Sequence, residues 1–160
     1  MFSDYRVGNK RVTATITKPR QGASGYLTPV KALIHIPKTH RLLSGDILAE
    51  GNTPLYILAY HHATPIANVF TGIEVNCQIE LTQSTVSTNP VTKMKENRVI
   101  GIPRKIYACE ALITAEEVAG LKSPEKIYYL PVKVTSDHFI NGVRVRNCSQ
   151  VSGIYRVEVG

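Results

Sequence analysis

The stretch Ile73-Glu74-Val75-Asn76-Cys77-Gln78-Ile79-Glu80-Leu81 decides the fold class, because apolar and polar residues alternate along it without interruption. Side chains of an extended chain point to opposite faces in turn, so the pattern predicts a β-strand with one buried and one wet face. Residues 11–17 alternate in the same way, with threonines on one side. Threonine suits a strand because its branched Cβ fits the pleated surface.

Several more segments have strand character, and turn residues separate them. The sharpest local signal is Asn141-Gly142, since this dipeptide accepts the positive φ angles of a type I′ turn and predicts a tight hairpin. The further strands are predicted at residues 31–36, 46–49, 55–60, 105–112, 126–134, 137–140, 143–147 and 154–159.

One short helix is predicted to begin at Thr114. The Thr114 hydroxyl can cap free backbone N–H groups and Glu117 can reach back, which is a capping box, while Gly120 ends the helix. Many short strands at regular spacing with one brief helix indicate a mainly β protein, either a small barrel or a sandwich. A chain of 160 residues suits a single β domain spanning residues 1–160.

Two segments have the composition of loops or arms. Residues 18–29 are rich in Gly, Ser, Gln and Pro, and residues 82–101 are polar and then basic. A structureless stretch of twenty residues is uncommon within a compact domain and is usually functional or disordered. We therefore predict a projecting arm at residues 82–101, either a loop or a long hairpin that pairs with a neighbouring subunit.

Two parts of the chain share a rhythm of turn, strand, turn and strand. Residues 44–51 lead into the strand at 55–58, and residues 136–142 lead into the strand at 143–145. Any two hairpins produce such a pattern, so it does not by itself establish an internal repeat.

The net charge of +7 favours anionic partners such as nucleic acid or acidic protein surfaces, although simple solubility explains it equally well. The three cysteines are widely spaced and lack a C-x-x-C pair, which argues against a disulfide framework or a thiolate zinc site. No apolar run approaches the roughly 20 residues that cross a bilayer, so we expect no membrane partner.

The sequence predicts no catalytic site, no cofactor and no metal. It contains no G-x-S-x-G motif and no Walker or Rossmann pattern. His61 and His62 are adjacent, so on a strand they would point to opposite faces, and we interpret them as a surface strand end. Glu74 and Glu80 are interpreted as part of a solvated strand face.

Basic residues cluster in three places, the first within the N-terminal twenty residues: Arg6, Lys10, Arg11, Lys18 and Arg20. Such clusters can neutralise phosphates, although nucleic-acid binders usually add exposed aromatic residues, and only Tyr5, Tyr26 and Tyr60 look free for stacking. The predicted subunit or DNA contacts come from the other two clusters: Lys93, Lys95, Arg98, Arg104, Lys105, Arg144 and Arg146.

The segment Leu43-Ser44-Gly45-Asp46-Ile47-Leu48-Ala49-Glu50-Gly51, followed by Leu55-Tyr56-Ile57-Leu58, resembles a turn-and-strand pattern of β-barrel proteins in tailed-phage necks, the head-closure or stopper type. The closing segment, residues 151–159, is similar to the last strand of such barrels. The resemblance implies a non-enzymatic, ring-forming virion component that joins portal or adaptor to tail proteins and assembles in the bacterial cytoplasm. The basic charge is a partial misfit, and no individual residue role transfers.

Two other readings remain open. One is a nucleic-acid-binding β-barrel, OB-like in shape, that uses the basic stripes. The other is an enzyme whose site is assembled from scattered His and Asp residues.

Overall fold

The structure, a computed structural model, describes residues 2–18, 30–111 and 124–160. The predicted helix at 114–117 and most of the predicted loop at 18–29 lie outside these ranges, and the described residues contain no helix. They form twelve strands: β1 Ser3–Val7, β2 Lys10–Thr17, β3 Val30–Pro37, β4 Ile47–Glu50, β5 Thr53–Ala63, β6 Ala67–Glu74, β7 Cys77–Thr88, β8 Lys95–Ala111, β9 Lys126–Leu130, β10 His138–Ile140, β11 Val143–Val151 and β12 Ile154–Val159.

The strands build two closed antiparallel barrels of six strands each. In the first barrel the order is β1-β2-β3-β6-β5-β4, and β4 pairs back onto β1. In the second the order is β7-β8-β9-β12-β11-β10, and β10 pairs back onto β7. The prediction of a mainly β fold with barrel architecture is confirmed, but the described residues form two barrels where the sequence suggested one barrel or sandwich.

The two barrels have the same strand order. Counted from its own first strand, each runs 1-2-3-6-5-4 and closes on itself. The two sequence segments with a shared rhythm form the β4–β5 and β10–β11 hairpins, which occupy equivalent positions in the two barrels. The predicted hairpin at Asn141-Gly142 is confirmed, with φ angles of 51° and 80°.

Each barrel has its own apolar interior, built from the inward-facing residues that alternate with outward-facing ones along its strands. A third apolar cluster lies between the barrels and holds them together: Ile57, Ala59 and Ile73 from the first, with Cys109, Ile127, Tyr129 and Ile154 from the second. At roughly 25 cal/mol per Å² of apolar surface removed from water, such a shared cluster stabilises the pairing of the barrels.

The deciding stretch from Ile73 to Leu81 is not one strand. β6 ends at Glu74 and β7 begins at Cys77, so Val75 and Asn76 carry the chain from one barrel to the other. The predicted alternation of burial nevertheless holds throughout, because the chain stays extended across the junction. Ile73 packs between the barrels, and Ile79 and Leu81 pack inside the second.

Other predicted boundaries shift. The strand predicted at 126–134 ends at Leu130, before Pro131, whose missing N–H cannot extend the ladder. β1 and residues 67–72 of β6 were not predicted as strands. No helix in the described ranges has the length and apolar character needed to span a membrane.

Candidate interaction surfaces

The most distinctive feature outside the barrels is the continuation of the β7–β8 hairpin, residues 85–102, which we call the arm. The last contact of β7 with the second barrel is at Ser84, whose N–H donates to the Asp137 carbonyl at 2.8 Å. Beyond this point the ladder continues from Thr85 opposite Arg98 to Thr88 opposite Lys95, and within the described residues these strand segments pair only with each other. The segment predicted as a loop or long hairpin is therefore a hairpin.

The tip of the arm is organised by Asn89. Its side-chain oxygen accepts hydrogen bonds from the backbone N–H groups of Val91 at 2.9 Å and Thr92 at 3.2 Å, and its amide donates to Glu96 at 3.0 Å. An Asx turn of this kind fixes the backbone of a turn without a core beneath it. The tip thereby holds Val91 and Lys93 in the solvent.

Apolar side chains on the arm face water. Six of the eleven exposed large hydrophobic side chains among the described residues belong to this one hairpin: Val86, Val91, Met94, Val99, Ile100 and Ile102. Val91 is 87% exposed and Ile102 is 89% exposed. Single exposed apolar residues need no explanation, but a concentration on one projecting element marks an interaction site.

The predicted contact residues are split between two faces of the hairpin. Lys105 pairs with Glu80 and Lys95 with Thr88, so both lie on the outer face of the sheet. Arg104 pairs with Leu81 and Arg98 with Thr85, which places both on the opposite face. All four are exposed, and none has a described carboxylate within 4 Å.

Arg144 and Arg146 join Lys105 on the outer face of the second barrel. Arg144 pairs with Phe139, and Phe139 pairs with Thr82, in one row across β11, β10 and β7. The Arg144 Nε donates to the Ser136 carbonyl at 3.1 Å. Arg146 is exposed, and it is the extra residue of a β-bulge in β11, because Val145 pairs with Val159 and Asn147 with Glu158.

Two aromatic residues, Tyr107 and Phe139, share this outer face, and neither was predicted from the sequence to be a contact. Tyr107 was assigned to an apolar strand, but it is 40% exposed, opposite Gln78. Phe139 is half-exposed beside Arg144. We call Lys105, Tyr107, Phe139, Arg144 and Arg146 the outer basic face; the acid Glu80 lies opposite Lys105. Lys105 and Tyr107 are two residues apart on β8 and therefore share a face, and this spacing in the sequence could have predicted the outer basic face.

The histidines do not form a catalytic arrangement in the described residues. The His138 ring accepts from the Thr135 N–H at 3.0 Å, the His40 ring bonds Thr13, and no described histidine bonds a carboxylate, thiol or serine. A nucleophile and base need such an oriented pair. The described residues also hold no group of three or more metal-ligating side chains.

The prediction that His61 and His62 point to opposite faces is wrong. Tyr60 pairs with Phe70 and His62 with Val69, so His61 is an extra residue in β5 with no partner in β6. Such a bulge breaks the alternation of side chains, and the two imidazole rings lie 4.7 Å apart between centroids. Both rings are exposed, so their interpretation as a surface strand end is kept.

Burial perturbs the ionisation of a few groups. Desolvation raises the pKa of the half-buried Cys77 thiol, and it raises the pKa of the Tyr128 and Tyr56 phenols. A thiol held neutral is a poor nucleophile, since the thiolate is the reactive species. Cys77, Cys109 and Cys148 all lie in the described residues and form no disulfide.

Comparison with known proteins finds no matching family model, no matching curated protein and no matching solved structure. The resemblance to phage head-closure proteins therefore stays a prediction.

Proposed function

We propose that the protein is a non-enzymatic structural protein that assembles with other chains through its arm. The observation that carries the proposal is the concentration of exposed apolar side chains on residues 85–102. An isolated two-stranded hairpin is at best marginally stable in water, so a partner that covers these side chains would also order the arm. The exposed cations on both faces of the hairpin would add steering toward an acidic surface.

The free edge of β8 supplies a second means of attachment. β8 pairs with β7 along Lys95–Ala108, but its other edge pairs with β9 only from Cys109 to Ala111 in the described residues. Unpaired backbone N–H and C=O groups on such an edge accept an added strand from another chain. Pro103 and Gly101, with φ of 74°, interrupt the edge. Strand addition is therefore expected between residues 95 and 100.

In its specific form, the proposal is a ring-forming neck component of a phage virion that joins portal or adaptor to tail proteins. The support for this form is the sequence resemblance, together with an arm suited to contacts between subunits. Localisation to the virion after assembly in the bacterial cytoplasm belongs to the same proposal.

Removal of the outer part of the arm, which carries Val86, Val91 and Met94, tests the proposal. Residues 86–97 are replaced by Asn-Gly, which joins Thr85 to its strand partner Arg98 through a type I′ turn. This cut leaves the contact of Ser84 with Asp137 intact. Light scattering and electron microscopy of the purified protein, alone and with candidate portal and tail proteins, should show folded monomers that no longer assemble.

A triple variant gives a finer test that preserves the hairpin. Val91→Ser, Val99→Ser and Ile102→Ser remove apolar surface from the arm, and Leu43→Ser with Ile66→Ser removes it from exposed sites elsewhere. Loss of assembly in the arm variant alone supports the proposal. Equal assembly by both variants and by the wild type would show that the arm is not the contact.

A second function is favoured by the outer basic face. Its two aromatic rings and three cations, none of them within 4 Å of a described carboxylate, are the combination that binds single-stranded nucleic acid by stacking and phosphate contact. A gel shift at about 50 and about 200 mM salt tests it, since binding that neutralises phosphates weakens steeply with salt. Lys105→Gln with Arg146→Gln should abolish the shift; no shift at low salt removes this function.

A further inference from the structure

Two residues of the first basic cluster of the sequence, Lys10 and Arg11, line a cavity at the first barrel. A cavity of about 470 Å³ lies between the β1–β2 hairpin and the segment that follows β3. Its polar lining comes from Lys10, Arg11, Thr39, His40 and Arg41. Lys18, also predicted in this cluster, does not line the cavity, and Arg20 lies outside the described residues. The cavity is distant in sequence from the arm and from the outer basic face.

The cations of this cavity lack acidic partners. Lys10, Arg11 and Arg41 are exposed, and no described carboxylate lies within 4 Å of any of them. Asp4 is the strand partner of Thr13, one pair further along the ladder from Val12. Asp46 lines an adjoining cavity, where its carboxylate accepts the Leu43 N–H at 2.8 Å.

The pairing of β1 with β2 adds an unfavourable contact. Arg6 and Arg11 are direct cross-strand partners, and both project from the outer face of the barrel. Like charges placed opposite each other destabilise a sheet. An anion bound in the cavity would offset this cost, because the Arg11 guanidinium would then also face a negative charge.

His40 supplies a neutral donor beside the cations. Its Nε2 lies 3.4 Å from both the backbone nitrogen and the hydroxyl of Thr13. A backbone N–H can only donate, so Nε2 accepts and the ring proton resides on Nδ1. The imidazole therefore carries an N–H on its other nitrogen, and Thr39 adds a hydroxyl to the same lining.

We propose that this cavity is a binding site for a phosphate group. Planar guanidinium groups match the oxygens of phosphate and donate two parallel hydrogen bonds, and Lys10 adds a point charge. A small molecule and the backbone of a nucleic acid both present the same phosphate oxygens, and the test separates these two sources. The site goes beyond the assembly function and does not depend on it.

The test uses the whole protein in a low-salt buffer without phosphate. Thermal unfolding is followed during titration with inorganic phosphate, with pyrophosphate and with a single-stranded oligonucleotide of about ten nucleotides. Ligands that bind only the folded protein raise the melting temperature as their concentration increases. Sodium chloride at matched ionic strength separates specific binding from screening.

Arg11→Gln is the decisive variant, because two opposite effects are expected from it. Without phosphate it should melt at or above the wild-type temperature, since the contact with Arg6 is relieved. Its apparent phosphate affinity should be weaker by about tenfold or more, since charge-assisted hydrogen bonds are lost. Lys133→Gln removes one positive charge at an exposed residue outside the cavity lining and should leave the phosphate response unchanged.

Each outcome is decisive. If inorganic phosphate stabilises the wild type and Arg11→Gln removes this effect, the site is supported and its ligand is a small molecule. If only the oligonucleotide stabilises the wild type and Arg11→Gln removes that effect, the site is supported and the phosphate belongs to a nucleic acid. Absence of stabilisation by all three probes overturns the proposal. Equal phosphate responses from Arg11→Gln and the wild type overturn it as well.

Discussion

The side chain of Asn76 pairs with the backbone of Glu110 in the manner of a neighbouring strand. Its Oδ1 accepts a hydrogen bond from the Glu110 N–H at 2.8 Å, and its Nδ2 donates to the Glu110 carbonyl at 3.0 Å. The Asn76 backbone N–H also donates to the Ala108 carbonyl at 3.1 Å. One residue therefore ties the segment between the barrels to β8.

Loss of this side chain should weaken the whole protein. Asn76→Ala removes both hydrogen bonds to Glu110, and we expect the free energy of unfolding to fall by about 1–2 kcal/mol. Urea denaturation measures the change. Asn147→Ala is a matched control, since Asn147 is an exposed strand asparagine without a side-chain hydrogen bond in the described ranges. Equal losses in the two variants would contradict the proposed role of Asn76.

The sequence pattern predicted burial better than it predicted pairing. From Ile73 to Leu81 the buried and exposed positions are as the alternation indicates, because an extended chain alternates its faces wherever its partners lie. The same pattern cannot show that β6 and β7 belong to different barrels, since that depends on pairings distant in sequence. For this reason one barrel or sandwich was expected where two barrels form.

The candidate surfaces were predicted only in part, and the reason is local. In the arm, β7 passes through Thr85, Val86, Ser87 and Thr88, where no core lies beneath and no apolar alternation is required. The sequence of residues 82–101 was therefore compatible with both a loop and a long hairpin. Tyr107 was misassigned because it adjoins the buried Ile106 and Ala108, although its own side chain faces outward.

The seam between the barrels depends on a close approach at Gly153. A Cβ at this position would lie 2.5 Å from the Cβ and Oγ of Ser44 on the other barrel. Gly142 has nearly the same φ, 80° against 83°, in an equivalent hairpin turn with no atom within 4 Å of its virtual Cβ. The two glycines therefore share a backbone requirement but differ in their surroundings.

Alanine at the two positions should separate the two effects. Gly142→Ala should cost about 1–2 kcal/mol of unfolding free energy, through its left-handed backbone alone. Gly153→Ala should cost a further 1–3 kcal/mol or so, because Ser44 must move. Denaturation in urea gives both values, and Ser44→Gly should recover part of the additional loss. If the two alanine variants are equally stable, the close approach does not restrict the seam.

The interior of the first barrel requires a glycine at position 72. A Cβ there would lie 2.8 Å from the Ile34 Cδ1 and 3.0 Å from the Tyr56 Cδ1. We expect Gly72→Ala to lower the free energy of unfolding by about 1–3 kcal/mol through overpacking. Ile34→Val removes the nearer atom, so the double variant should lose less than the sum of the single variants. Strict additivity in urea denaturation would show that Ile34 is not the obstacle.

Alkaline pH should destabilise the protein through its buried phenols. Burial raises the pKa of Tyr128 above its ordinary value of about 10, so the folded state holds the neutral phenol while the unfolded chain ionises first. The resulting stability is complete below the unfolded pKa and is lost as pH rises through the folded pKa. Burial also raises the pKa of Tyr56, with the Glu74 carboxylate adding to the effect, so both phenols act in the same direction.

Urea denaturation at pH 8, 9.5 and 11 measures this dependence, and absorbance of the phenolate follows ionisation directly. Tyr128→Phe should flatten the decline of stability above about pH 10, since one ionisable group is removed. Tyr107→Phe, at an exposed position on the outer face, is the matched control for removal of a phenolic hydroxyl. A slope unaltered by Tyr128→Phe would mean that the Tyr128 phenol ionises as easily in the folded barrel as in the unfolded chain.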